Sequence, residues 1–229
     1  MHPTTTPRRL LLIAACTLAG ALLGGLLLYR FGRPLWQPVL ALVSGEATVA
    51  QRMREIAARH PDLPALDIRS VRLIGFKDPG RLDVQLNGRP WRSFAWTAQS
   101  GGPGPKLRSG DGQIPEGLYR IDAVNPNSAY HLSLRVSYPN DEDRRRSAAL
   151  DISDLGGDIY IHGKDASIGC IAIGDDAIDQ VFYVVNRVDA LAVPVLIVPN
   201  ASCGGDQRLR RVLEEWTPLE NPPAGGGKG

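Results

Sequence analysis

Apolar side chains recur at every second position over much of the sequence from Val71 onward. Residues 82–86 alternate between apolar and polar, and Asn87-Gly88 separates them from a second run at 91–97. Such alternation is typical of half-buried strands, and Asn-Gly is the strongest short signal for a two-residue hairpin. The 25 glycines and 18 prolines in 229 residues also favour a turn-rich fold over a helical bundle. We therefore expect a mainly β domain.

The rest of the sequence adds further strands and a few short helices. Period-two or short apolar runs predict strands at residues 118–123, 131–138, 159–162 and 195–198. Helical spacing predicts short helices at 46–60 and 209–216, and a third after Asp175 and Asp176, which can cap it. The charged run 141–146 is interpreted as a solvated loop, with a substrate contact as the alternative. The predicted class is mainly β with short helices (α+β).

An uncharged run of residues, 10–29, follows Arg8-Arg9 directly. Twenty helical residues span about 30 Å, the thickness of a hydrocarbon core, so the run predicts a transmembrane helix. No small-x-small cleavage site follows it, which favours a retained anchor over a cleaved signal. Cys16 lies in a sequence that loosely resembles a lipoprotein cleavage box, but we interpret it as a small apolar residue of the span.

Charge and histidine spacing exclude some classes of function. The formal net charge is +2, from 26 basic and 24 acidic residues, so nothing indicates binding to nucleic acid. The four histidines show no ligand spacing with cysteines or acids, and we expect neither a metal nor a cofactor. They are His2, His60, His131 and His162.

The segment 159–173 holds the residues best suited to chemistry. A predicted strand ends at His162, and Cys170 follows eight residues later, before a second apolar run. A neighbouring imidazole would favour the reactive thiolate of a cysteine. A disulfide between Cys170 and Cys203 is an alternative in an oxidising compartment.

Glycine beside the thiol strengthens the nucleophile hypothesis. Gly169 would let a substrate approach the backbone, and the amides of Gly169 and Cys170 could face a tetrahedral oxyanion. His131, on the polar face of its predicted strand, either borders the same cleft or is an ordinary surface residue.

His162-Gly163 followed by Ser167-Ile168-Gly169-Cys170 resembles the active-site signature of the L,D-transpeptidase (YkuD-type) family. Segment 104–119 is similar to the loop and turn that precede a core strand in that family. Segment 125–140 is similar to its murein-associated branch. Together the resemblance covers about residues 66–199.

The resemblance implies a sandwich-like β catalytic domain with a helix by the nucleophile. It implies that Cys170 is the nucleophile and that His162 is the base that activates it and later protonates the leaving amine. Ser167 and Gly169 would then shape the nucleophile turn and the oxyanion site, supported by Gly163.

The implied reaction is attack on an amide of a peptidoglycan stem peptide, which gives a thioester that passes to an amine or to water. The sequence departs from the commonest signature in its short interval between His162 and Cys170, in Ile168 where a second histidine is customary, and in Ala172 where Arg or Asn is customary. A variant branch that this sequence resembles includes a murein hydrolase that detaches a lipoprotein from the wall. Water as acceptor, and a wall-linked lipoprotein as partner, therefore stand as alternatives.

Two other classes of function remain open. The domain could be a catalytically silent peptidoglycan-binding module that keeps the fold. It could also be a thiol–disulfide protein that uses Cys170 and Cys203, although it has no Cys-x-x-Cys pair.

Peptidoglycan lies outside the cytoplasmic membrane, which sets the expected orientation. We expect a bacterial cytoplasmic membrane protein with one N-terminal anchor and its catalytic domain in the periplasm. The expected segments are a cytoplasmic tail (1–9), the anchor or uncleaved signal (10–29), a juxtamembrane spacer with a short helix (30–65), the catalytic domain (66–205), and a short helix with a disordered tail (206–229).

Overall fold

The computed structural model of the protein describes residues 46–217. The predicted cytoplasmic tail, the membrane segment 10–29, residues 30–45 of the predicted spacer and the predicted disordered C-terminal tail lie outside these residues. Within 46–217, no helix has both the length and the apolar character to cross a membrane. Contacts divide the chain into two units after Thr48, and the fold below belongs to the second, Val49–Gly229.

The described fold contains four α-helices and eight strands, with short 3-10 turns between some of them. The elements in chain order are α1 (Val49–Arg59), β1 (Val71–Phe76), β2 (Arg81–Leu86), β3 (Arg89–Ala95), β4 (Gly117–Ser128), β5 (His131–Val136), α2 (Asp141–Ala148), β6 (Tyr160–His162), β7 (Ile171–Ala172), α3 (Asp175–Val185), β8 (Pro194–Val198) and α4 (Gln207–Trp216). The predicted mainly β class with short helices is confirmed. The hairpin also forms at the predicted place, with Asn87 and Gly88 both at positive φ.

The strands form one sheet in the order β3-β2-β1-β8-β4-β5-β6-β7. The pairs β1–β8 and β6–β7 are parallel, and the other neighbours are antiparallel. The sandwich expected from the resemblance is therefore corrected to a half-barrel. The physical reason lies in β4, whose twelve residues pair with β8 over Gly117–Arg120 and with β5 beyond that, with register shifts that bend the strand.

The central strands β1 and β8 are buried on both faces. Leu73 and Val195 belong to the large core that also contains the apolar residues of α3. Ile74 and Leu196 lie in a smaller cluster on the other face, where Leu209, Leu213 and Trp216 of α4 pack against them. Burial on both faces explains why residues 195–198 are an unbroken apolar run.

The charged run 141–146 is helical, so its interpretation as a loop was wrong. Asn140 Oδ1 accepts hydrogen bonds from the amides of Glu142 and Asp143, each at 2.9 Å, and Asp143 Oδ2 accepts one from the Asn140 amide. This reciprocal pair is a capping box, which starts a helix. Three acids in the first turn and arginines in the last complement the helix dipole.

The helix after Asp175 also differs from its prediction in one respect. Its N-cap is Gly174, and no side chain caps it. The carboxylate of Asp175 accepts a hydrogen bond from the Lys164 amide instead, at 2.7 Å. Asp175, predicted to cap α3, therefore links α3 by a hydrogen bond to the loop that precedes β7.

Asp111 organises the glycine-rich loop 101–116. Its carboxylate accepts hydrogen bonds from the amides of Leu107, Arg108 and Gln113 and from the Lys106 ammonium at 2.8 Å. Burial alone would raise the pKa of Asp111, but these four bonds outweigh it and lower the pKa to about 2.

The loop should therefore be acid-sensitive over a defined range. Because the pKa of Asp111 is lower in the folded protein than the roughly 3.9 of a free aspartate, its contribution to stability is complete above about pH 4. That contribution should be lost as the pH falls through about 2. Titration of the carboxyl carbon by NMR measures the pKa, and a value at or above that of a free aspartate would contradict this prediction.

Candidate active site

The strands β5, β6 and β7 have one apolar and one polar face. Leu134, Ile161 and Ile171 lie side by side in register, and each is fully buried in the core. Ser133 and His162 form the neighbouring row and lie on the opposite face, because adjacent residues of a strand alternate. The period-two pattern thus sends the histidine away from the core.

A cavity of about 330 Å³ lies over that polar face. His162 and Cys170 both line it. The other lining residues come from the β4–β5 hairpin, from β5 and β6, and from the loop before β7, namely Asn125, Ser128, Ala129, Tyr130, Ser133, Tyr160, Ala166, Ser167 and Ile168. Among these described residues there is no aspartate, glutamate, lysine or arginine.

The loop 163–170 joins two parallel strands with eight residues. Parallel neighbours usually need a crossover of a dozen residues or more, so this connection has no room for a helix. Several contacts hold it in place. Thr97 Oγ1 donates a hydrogen bond to the Lys164 carbonyl at 2.7 Å, and the Gly169 amide donates one to Ser100 Oγ at 2.6 Å.

His162 is only 3% exposed, and its neighbours fix its orientation. Nδ1 lies 2.6 Å from the Gly163 carbonyl oxygen. Since a carbonyl can only accept, Nδ1 must carry the proton, which leaves Nε2 as the basic nitrogen. The Tyr130 ring packs on the imidazole at 4.7 Å between centroids. Burial lowers the pKa of His162, and the contact with Gly163 offsets only part of that effect.

Cys170 is partly buried at the floor of the cavity. Its thiol donates to the Asp158 carbonyl at 3.5 Å, and it makes no hydrogen bond to His162 in the described structure. Burial raises the pKa of the Cys170 thiol. β7 separates the cysteine from α3, which begins at Asp175, so the helix N-terminus does not act on the thiol directly.

The turn before Cys170 is fixed by hydroxyl groups. Ser167 Oγ accepts from the Cys170 amide at 3.0 Å and donates to the Cys170 carbonyl at 2.7 Å. Gly169 has φ +85°, and a Cβ there would lie 3.2 Å from the Gln113 carbonyl oxygen. The two amides predicted to face an oxyanion, those of Gly169 and Cys170, are therefore bound to Ser100 and Ser167 in this structure.

The residues predicted to border the cleft separate in the structure. Ile168 lines the cavity and is 86% exposed. His131 does not line the cavity, and its Nε2 lies 2.7 Å from Asp179 Oδ1 on α3. Ser133, two residues further along β5, does line it.

Sequence reasoning missed three contributors to the site. Ser100, Tyr130 and Asp158 contact Gly169, His162 and Cys170 respectively. Tyr130 lies in the hairpin turn between two predicted strands, which was the one available signal. Nothing in the sequence around Ser100 or Asp158 marks them, since each acts on a residue that only the fold brings near.

The two candidate thiols lie in separate parts of the structure. Cys203 is buried in the cluster under α4, whereas Cys170 lines the cavity, and both are free. The alternative of a Cys170–Cys203 disulfide is not realised. No group of three histidine, cysteine or acidic side chains within residues 46–217 is placed to hold a metal ion.

Comparison with known proteins matches the site to a family. The model of the L,D-transpeptidase catalytic domain (YkuD) matches residues 79–197, which is more than half of the chain and contains both His162 and Cys170. The chain belongs to the L,D-transpeptidase catalytic domain family.

Curated relatives and solved structures were also found. YafK of Escherichia coli K12 is 34% identical over 116 residues, which cover 48% of this chain and 45% of the relative. The chain thus spans about half the length of the curated relatives it matches. The cell shape determining protein Pgp2 of Campylobacter jejuni is 20% identical with a TM-score of 0.47, over 74% of this chain and 62% of Pgp2. The L,D-transpeptidase 1 of Mycobacterium tuberculosis is 17% identical with a TM-score of 0.32, over 56% and 62% of the two chains.

Gly163 of this L,D-transpeptidase domain has no room for a side chain. A Cβ there would lie 2.5 Å from Asp175 Oδ1, 2.8 Å from the Tyr130 carbonyl oxygen and 3.1 Å from His131 Cβ. Its amide also donates to the Tyr130 carbonyl at 3.1 Å. Steric crowding therefore explains the glycine of the His-Gly pair.

Replacing Gly163 by alanine should lower the free energy of unfolding by about 1–3 kcal/mol, because the backbone of Tyr130 must shift. The matched control is Gly157→Ala, where a Cβ would meet nothing within 4 Å. Denaturant unfolding followed by circular dichroism measures both variants. Equal midpoints for the two variants would contradict the steric explanation.

Proposed function

We propose that this domain is a cysteine acyltransferase or hydrolase that acts on peptidoglycan stem peptides through a thioester. The observation that carries the proposal is that Cys170 and His162 line one cavity while the Gly163 carbonyl leaves Nε2 of His162 as the basic nitrogen. Membership of the L,D-transpeptidase family supports the substrate class. The matched segment covers only 45% of the relative YafK, so the experiment below, and not the similarity, decides the reaction.

Burial sets the resting charge state of the pair. It lowers the pKa of His162 and raises the pKa of Cys170, so both groups are neutral before reaction. The thiol would leave the Asp158 carbonyl and pass its proton to Nε2 as Sγ attacks the amide carbon. His162 would then return that proton to the leaving amine as the C–N bond breaks, which gives the thioester.

The tetrahedral oxyanion needs donors that the resting structure uses elsewhere. The amides of Gly169 and Cys170 are bound to Ser100 Oγ and Ser167 Oγ. Because these acceptors are neutral hydroxyls, an anionic substrate oxygen would bind the amides more strongly and replace them.

The residues that line the cavity favour water as an alternative to an amine for accepting the acyl group from the thioester. An amine acceptor arrives as an ammonium, and the described lining has no carboxylate to bind it. Ile168 instead presents an apolar side chain that is 86% exposed beside Cys170. Hydrolysis, including release of a wall-linked lipoprotein, is therefore the alternative to transfer onto an amine.

The proposal also sets a location. Peptidoglycan lies outside the cytoplasmic membrane, so the catalytic domain would lie in the periplasm, with residues 10–29 as its anchor.

Replacing Cys170 by alanine should abolish turnover of tetrapeptide muropeptides and the covalent mass shift expected with a carbapenem, because no thioester can form. The matched control is Cys203→Ser, which removes the buried thiol of the cluster under α4 and should leave turnover nearly unchanged. Mass spectrometry of the products, with and without a protein-linked muropeptide, decides the acceptor. Cross-linked products indicate transfer, and trimmed or released stems indicate hydrolysis. Binding without any product would instead indicate a silent module and would contradict the proposal, as would turnover by Cys170→Ala.

The raised pKa of Cys170 predicts slow alkylation at neutral pH. Since the thiolate is the reactive form, each unit by which burial raises the pKa lowers the thiolate fraction about tenfold. The rate with iodoacetamide, followed at the Cys170 peptide by mass spectrometry, should level off at a higher pH than that of N-acetylcysteine in the same buffers. A midpoint below that of N-acetylcysteine would mean a resting thiolate–imidazolium pair and would overturn the neutral pair.

A further inference from the structure

Asp179 of α3 is a buried carboxylate at which three elements meet. Its Oδ2 accepts from Arg59 at the end of α1, at 3.0 Å from Nε and 2.6 Å from Nη2. Its Oδ1 lies 2.7 Å from Nε2 of His131, the first residue of β5. The side chain is only 5% exposed. The ring of His60 also faces it, 3.9 Å from Oδ2 and 3.6 Å from Asp176.

His131 has an unusual backbone conformation at the end of a hairpin. Its φ is +71°, in the left-handed region that residues with a side chain rarely adopt. It closes the β4–β5 hairpin, where Ser128 pairs with His131 around Ala129 and Tyr130. The contact with Asp179 ties this first residue of β5 to α3, and it thereby restrains the residue just before it, Tyr130.

Tyr130 interacts with His162 directly through its ring and indirectly through Gly163. Its ring packs on the imidazole at 4.7 Å between centroids. Its carbonyl accepts from the Gly163 amide at 3.1 Å, and the Gly163 carbonyl is the group that contacts His162 Nδ1. Tyr130 also lines the cavity, whereas His131 and Asp179 do not.

We propose that His131, held by Asp179, is a positioning residue that fixes the orientation and tautomer of His162 through Tyr130. The proposal rests on the proposed function only for the role of His162 as base. Without the Asp179 contact, the hairpin turn relaxes and the Tyr130 ring and carbonyl move together. The Gly163 carbonyl then no longer selects the Nδ1–H tautomer. Nε2 of His162 therefore carries the proton for part of the time and cannot act as a base in that form.

The tautomer can be measured without any substrate. The full chain, in detergent and labelled with ¹⁵N-histidine, contains four histidines, and His162→Gln assigns the signal of interest. In the unsubstituted protein, Nδ1 of His162 should show the shift of a protonated nitrogen and Nε2 that of an unprotonated one. His131→Gly tolerates the positive φ but removes the ring, and it should bring the two shifts toward a common average. His131→Gln keeps a donor of similar reach and should restore most of the separation.

Asp179→Asn tests the other half of the contact, and Asp176→Asn is its matched control. Asp176 lies one turn earlier on the same helix, and its side chain is 81% exposed and makes no contact with His131. The control should leave both nitrogen shifts unchanged, whereas Asp179→Asn should move them as His131→Gly does. Thermal unfolding by circular dichroism identifies any variant that fails to fold, and His131 is exposed enough for its variants to keep the core.

Kinetics give a second readout. His131→Gly should lower kcat about tenfold with KM changed less than about twofold, because the base is misplaced while the cavity persists. Native nitrogen shifts in folded His131→Gly and Asp179→Asn would overturn the positioning role, whatever the activity. A different result separates the two proposals. If Cys170→Ala leaves turnover unchanged, while the nitrogen shifts of His162 respond to His131→Gly and Asp179→Asn as predicted, the proposed function is contradicted and the positioning role stands.

Discussion

The parallel pairing of β6 with β7 through eight residues is the constraint on which the site depends. The connection has no space for a helix, so residues 163–170 arch over the polar face of the sheet. That arch brings Cys170 back to the strand beside His162 and forms one wall of the cavity. The second wall is the β4–β5 hairpin, and Gly163 packs against its turn so closely that no side chain fits.

Burial decides what chemistry this arrangement can perform. A thiolate–imidazolium pair would place two charges in a site that raises the pKa of Cys170 and lowers that of His162. The described lining offers no ionic group to offset that cost. For the proposed function, the geometry suits a neutral pair that moves a proton only during attack, with backbone amides stabilising the negative charge that develops on the substrate oxygen.

Much of the fold was predictable from local sequence, because period-two alternation and Asn87-Gly88 are local signals. The helix 141–148 was predictable too, since Asn140 and Asp143 form a capping box, but the density of charge suggested a loop. The half-barrel was not predictable, because the parallel β1–β8 pair joins residues more than 120 apart. In the site, Cys170 and His162 were predicted from their spacing and from the family signature that they resemble, and both line the cavity. Ser100 was not predicted, because it lies 69 residues before Gly169 in the sequence and only the fold brings the two together.

The packing of β1 and α1 sets the limits of the unit that can fold alone. The family match begins at residue 79, yet β1 ends at Phe76 and lies between β2 and β8 inside the sheet. Ile56 of α1 is fully buried, and Trp216 closes the opposite face of the sheet. A truncated protein cut at the limits of sequence similarity would lack a central strand and two covering helices. An expressible catalytic fragment should start ahead of Val49 and extend past Trp216.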